Sequence, residues 1–133
     1  VENWWESPFG ANSIQYSLPV FHRVAVEERG LSLPALVRLC CATPAATFGM
    51  PEQGTLAPGT DADVIVLDPD GGTPVDPAAN ASGSTFSIYE GFEPSVAVRD
   101  TFVRGERVVA DGDQAGEPGT GRFVERDRPD WSA

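Results

Sequence analysis

Lysine is absent from this sequence: all nine basic residues are arginine, set against 20 Asp and Glu for a formal net charge of −11. That balance repels phosphate backbones and anionic lipid, so neither nucleic acid nor a membrane surface is expected as a partner. No apolar run approaches the roughly 20 residues that span a bilayer. Histidine is represented once and cysteine twice, so neither a multi-histidine metal centre nor a disulfide framework can be built from these residues. His22 has no second imidazole to accompany it and reads as a surface or core-edge residue. Cys40 and Cys41 are neighbours in a predicted helix, where adjacent side chains point apart; they are expected as core filler in a reducing cytoplasm. A salt-adapted source or a GC-rich genome would each produce a Lys-free acidic surface. Nor is there an initiator Met or a signal-like apolar stretch at Val1-Glu2-Asn3, and a piece of a longer protein is expected.

What is present is organised around Gly54–Pro69, G-T-L-A-P-G-T-D-A-D-V-I-V-L-D-P. Asp63–Leu67 ends in branched apolar residues, is too short for a helix and lies between Pro58-Gly59 and Asp68-Pro69-Asp70-Gly71. A run of that length between turn formers predicts a buried β-strand. Residues before Gly54 read as helical and those after it as short strands. With 133 residues, one modest domain would bury about two-thirds of its unfolded surface.

On the helical side, a pattern from Ser13 places Ile14, Leu18, Phe21 and Ala25 on one apolar face, and Gly30 ends it. Ser32 is a candidate N-cap for a second helix, with Leu33, Leu36, Val37 and Cys40 as its stripe. Thr43-Pro44 is expected to break and restart the chain as a short helix ending at Phe48-Gly49. Two such helices require a partner surface. On the strand side, Val96–Val103 and Arg107–Ala110 predict a hairpin across Arg104-Gly105-Glu106, closed by Asp111-Gly112-Asp113. Residues 70–84 read as a loop, and Gly116 to Ala133 as an extended tail. The layout is α+β.

Phe48–Pro69, F-G-M-P-E-Q-G-T-L-A-P-G-T-D-A-D-V-I-V-L-D-P, resembles the segment that closes cyclic amidohydrolases of the dihydropyrimidinase, hydantoinase and allantoinase group. There a helix ending in N-P-A-x-x-F-G-L precedes G-x-L-x-x-G-x-D-A-D-[LIV]-[LIV]-[LIV]-x-D-P. Asn80, Tyr89, Glu90 and Gly91 match a further N-x-S-x-x-x-x-x-Y-E-G stretch that reads as structural. The resemblance implies a C-terminal piece: residues 1–49 as the last loop and terminal helices of a (β/α)₈ TIM-like barrel, 50–115 as the C-terminal strands of a composite β-sandwich, and 116–133 as an extended tail. It also implies a cyclic amide as small-molecule substrate, a homo-oligomer (dimer or tetramer), and zinc or a similar divalent metal. The family's metal ligands are a His-x-His pair, a carboxylated Lys, two further His and an Asp. None has a counterpart here, so the segment alone is expected to be inactive.

What the resemblance does carry over is a pocket wall. Ser7–Gln15, S-P-F-G-A-N-S-I-Q, is similar to the family's P-N-G-G-P-G-I-E loop, whose backbone contacts the ring amides. Pro8, Gly10 and Ile14 match, and Phe9 stands where Asn is usual. Pro8, Phe9 and Gly10 are thus the candidate substrate-binding residues, with packing of the barrel mouth by Trp4, Trp5 and Phe9 as the plain alternative. Asp61-Ala62-Asp63 matches the family's D-A-D and is expected to be structural, since a cation needs more converging oxygens. Asn80-Ala81-Ser82 fits a glycosylation sequon without a secretory signal. A non-catalytic subunit or assembly scaffold of the same fold is the alternative function.

Overall fold

The computed structural model describes residues 3–4, 10, 12–82 and 84–129. Helix α1, Ile14–Phe21, runs into a π-helical segment, His22–Glu27, whose widened turn is closed by the Glu28 amide donating to the Arg23 carbonyl at 3.1 Å. Gly30 takes the left-handed conformation (φ 71°) that ends it. Ser32 caps α2, Leu33–Val37, its hydroxyl accepting from the Ala35 amide. The expected break at Thr43-Pro44 does not occur. Instead a π-helical segment, Arg38–Ala42, leads directly into α3, Thr43–Thr47, and the Thr43 amide donates to the Arg38 carbonyl. A proline ring crowds the carbonyl four residues back, here within the widened turn, so the helix passes Pro44 by expanding rather than stopping.

Four antiparallel strands follow in the order β1 (Val64–Asp68), β2 (Ala97–Val103), β3 (Glu106–Ala110) and β4 (Asp113–Gln114). Two-residue turns join β2 to β3 and β3 to β4. Arg104 and Gly105 have φ of 50° and 80°, and Asp111 and Gly112 have 53° and 88°, the paired positive values that suit a tight right-twisted hairpin. Asp111-Gly112 therefore opens a second hairpin rather than merely closing the first. β1 was expected to be buried, yet it is an edge strand with Ile65 51% exposed. An apolar run fits either setting, and only the strand order decides.

Asp61-Ala62-Asp63 is structural. The Asp63 carboxylate accepts from the Arg104 amide at 2.7 Å, and the Ala62 carbonyl accepts from the Gly105 amide at 2.9 Å. The Gln53 side chain donates to Asp63 at 3.0 Å. The segment before β1 thus grips the β2–β3 turn. At the far end of the hairpin, buried Asp100 accepts from Arg99 at 2.9 Å and from Arg107. Arg107, then Arg99, hold its carboxyl down to about 2, and the Asp111 amide adds to this against the opposing effect of desolvation.

The loop between β1 and β2 is fastened by backbone bonds: Gly72 donates to Ser95, Val75 to Phe92 and Gly91 to Val75 at 3.0, 2.9 and 3.0 Å. At Gly72 an added Cβ would lie 1.9 Å from the Pro94 carbonyl oxygen, so only glycine permits this approach. The tail threads back irregularly, its Asp127 amide donating to the Gly49 carbonyl at 2.8 Å.

The buried apolar set is small: Val20, Ala25, Leu36, Ala45, Val75 and Val96. Of the two expected stripes, Ala25 and Leu36 are buried, whereas Ile14, Phe21, Leu33, Val37 and Cys40 are exposed. Both cysteines are exposed, not core filler. The sequence pattern marks apolar faces, and among the described residues much of them stays exposed.

Two outcomes are expected. The 133-residue chain on its own, with Ile14, Leu56 and Phe123 each more than four-fifths exposed, should self-associate or remain partly unfolded, and a sharp cooperative melt of a monomer would contradict this. Asp100, whose folded pKa of about 2 lies below the ordinary 3.8, contributes stability that is complete above pH ~4 and lost as pH falls toward ~2. Denaturant titrations of the intact protein should show that window flattened in Asp100→Asn, with lower stability at neutral pH.

Candidate functional site

Of the three candidate substrate-binding residues, Pro8 and Phe9 lie outside the described residues, as does Trp5. Gly10 is described: it is exposed, with φ 81°, and an added Cβ would meet nothing within 4 Å. Backbone conformation rather than space favours glycine there. Trp4 is 74% exposed.

The start of α1, immediately after this loop, is fixed from a distance. Ser13 makes no side-chain cap. Instead the Gln15 amide donates to the Ala79 carbonyl at 3.2 Å while its oxygen accepts from the Ala81 amide at 2.8 Å. The Tyr16 hydroxyl donates to the Asp76 carbonyl at 3.1 Å, and Asn12 donates to the Ser82 hydroxyl. The receiving loop is itself stiffened. Asp76 accepts from the Ala78 amide at 2.9 Å around the 3₁₀ turn Pro77–Ala79, and Asn80 accepts from the Ser82 amide at 3.1 Å. Asn80 is buried and acts as a turn former, which accounts for the Asn80-Ala81-Ser82 pattern structurally. Gln15 was not singled out from the sequence. Residues 70–84 read as a loop, but nothing local shows that a residue over 60 positions away holds it.

Glu27 accepts from the Ser95 hydroxyl and pairs with Arg23 at 2.9 Å, and its carboxyl is lowered first by Ser95 and then by Arg23. His22 lies at the core edge as expected, its Nδ1 3.5 Å from Glu27. Partial desolvation pushes the Cys40 thiol up, and Cys41 adds to it, the opposite of what activates a thiolate. An open cleft of about 370 Å³ between tail and hairpin is lined by residues of both charges, among them Glu52, Asp61, Arg104, Arg122 and Asp127.

Among the described residues, no three His, Cys, Asp or Glu side chains converge closely enough to hold a metal ion. The donors present therefore do not fit the divalent centre that the family implies, and no step through a metal is assigned to them. Among the described residues, no helix is long and apolar enough to cross a membrane.

Residues 4–108 match the Amidohydrolase family. The chain is 38% identical over 123 residues to the L-hydantoinase of Paenarthrobacter aurescens, covering 92% of this chain and 27% of that protein. It is 39% identical over 118 residues to the allantoinase of Streptomyces avermitilis, covering 89% and 26%. Among solved structures, the D-hydantoinase (dihydropyrimidinase) from Thermus sp. superposes with a TM-score of 0.87 at 28% identity, over 94% of this chain and 28% of that one. The chain thus spans about a quarter of the length of the curated relatives it matches. With more than half of its residues matching the family model, this chain belongs to the amidohydrolase family.

Proposed function

We propose that the chain is the C-terminal quarter of a metal-dependent hydrolase that opens cyclic amides of the dihydropyrimidine, hydantoin or allantoin type. The observation that carries this reading is the extent of the similarity. Relatives named hydantoinase and allantoinase match about nine-tenths of the chain, from the helical half through the hairpin. In this reading residues 1–49 supply the last loop and terminal helices of a (β/α)₈ barrel, residues 50–115 the C-terminal strands of a β-sandwich, and residues 116–133 a tail. The exposed apolar helix faces and the open edge at β1 support that division, since such surfaces suit burial against further elements.

In this reading Pro8, Phe9 and Gly10, which align with the family's substrate loop, are substrate-binding residues of the pocket wall. A backbone contact does not depend on side-chain identity, and Phe9 standing where the family has Asn argues against a standard hydantoin as the substrate. Zinc or a similar divalent ion activates water in the complete enzyme, held by residues other than these. The complete enzyme acts as a dimer or tetramer, as the resemblance implies.

The test is an assay of the intact protein on a dihydropyrimidine, a hydantoin and allantoin, with and without chelator. Turnover of at least one substrate, abolished by chelator and restored by zinc, is expected. Chelator-insensitive turnover sinks the metal dependence. A metal-loaded protein inert on all three sinks the substrate class and favours the non-catalytic scaffold.

A further inference from the structure

We propose that Gln15 is a positioning residue for the substrate loop, acting by locking the loop's exit to residues 76–82; this rests on the proposed function for its catalytic consequence. The geometry is that of a single ladder rung made by a side chain. The Gln15 carboxamide donates to the Ala79 carbonyl at 3.2 Å and accepts from the Ala81 amide at 2.8 Å, so it engages the backbone on both sides of buried Asn80. A primary amide offers a donor and an acceptor side by side in that arrangement at neutral pH. Asn12 and Tyr16 grip the same loop at Ser82 and Asp76.

Three features make this contact decisive rather than incidental. The first turn of α1 has no capping side chain of its own and no acidic residue, so its entry geometry is not set locally. The partner loop is held in turn by the Asp76 and Asn80 side chains, so it serves as a fixed point. Gly10 sits only two residues before Asn12, in a left-handed conformation where an added Cβ would meet nothing within 4 Å, and among the described residues the first side-chain tie after it is that of Asn12 to Ser82. The register of Gly10 is therefore inherited from the rung at Gln15. Displacement of a binding group by about 1 Å is enough to cost substantial affinity or rate.

The experiment uses the intact enzyme and two readouts: hydrogen exchange at the Ala81 amide, and KM and kcat on whichever cyclic amide the wild type opens. Gln15→Ala should speed exchange at Ala81 and raise KM by about tenfold, the effect of one or two lost hydrogen bonds, with kcat changed by less than about threefold. Gln15→Glu keeps the acceptor for Ala81 but loses the donor to Ala79, and should retain most of the exchange protection with an intermediate KM. A KM in Gln15→Ala equal to that of the wild type overturns the positioning role, whether or not Ala81 loses protection. An unprotected Ala81 in the wild type overturns the rung itself. A wild type inert on every cyclic amide overturns the proposed function, and the substrate role of Gln15 with it. An active wild type that ignores Gln15→Ala overturns the role of Gln15 alone.

Discussion

The Asp63 carboxylate on the Arg104 amide is the contact on which the strand half of this chain depends. Arg104 is the first residue of a turn that needs positive φ, a conformation that costs a non-glycine residue free energy. The 2.7 Å bond from the Arg104 amide to Asp63 and the 2.9 Å bond from the Gly105 amide to Ala62 offset that cost. They also set the register: once Ala62 and Asp63 are pinned to the turn, Val64 falls opposite Phe102 and Ile65 opposite Thr101. A one-residue slip would send each side chain to the other face. Further along, Arg99 is the unpaired residue between Val98 and Asp100, a bulge that twists the strand where Arg99 and Arg107 meet the buried carboxylate.

Between the helical half and the sheet, polar and backbone contacts do what a large core does elsewhere. Glu27 meets Ser95, Gln15 meets Ala79 and Ala81, and Gly49 meets Asp127. At Gly54 an added Cβ would lie 2.7 Å from both the Ala45 side chain and the Cys41 carbonyl, so the chain passes directly over the helix before turning into the strands. Such contacts specify geometry well. They contribute little net free energy apiece, about 1 kcal/mol for a hydrogen bond, while the buried apolar set contains nothing larger than Leu36. The arrangement is well determined in direction and weakly held in energy.

That contrast explains what could be read from the sequence. Ser32 as a cap, Gly30 and Gly49 as helix ends, and the Arg104-Gly105 turn were legible because each is a local requirement on backbone dihedrals or unpaired amides. The role of Asp61-Ala62-Asp63 was legible through resemblance alone, since its partner lies 41 residues away. Continuation of the helix through Pro44 was not, because a proline signals interruption unless the preceding turn widens, and nothing in Arg38–Ala42 announces that. Burial was misjudged for Cys40, Cys41 and β1 for a single reason. Apolar periodicity marks which face would be buried, not whether a partner lies within the same chain. Pro8-Phe9-Gly10 was named through resemblance; the contact of Gln15 with Ala79 and Ala81 was not, being a tertiary contact between the first turn of α1 and a distant loop.

The division between a well-specified polar frame and unsatisfied apolar faces bears on how such a segment would serve the proposed pocket. A pocket wall must be placed to within fractions of an ångström, which hydrogen bonds achieve because they are directional, whereas apolar packing is permissive in direction and supplies most of the free energy. Here the directional contacts cluster at the start of α1 and at the hairpin turn. The permissive surface is spread over Ile14, Phe21, Leu33, Val37 and Leu39, on the helices that follow the Gly10 loop. Burying that surface would stabilise the helices without redefining the loop. The internal frame fixes the start of α1 and the hairpin turn, and association with further elements decides whether that frame persists.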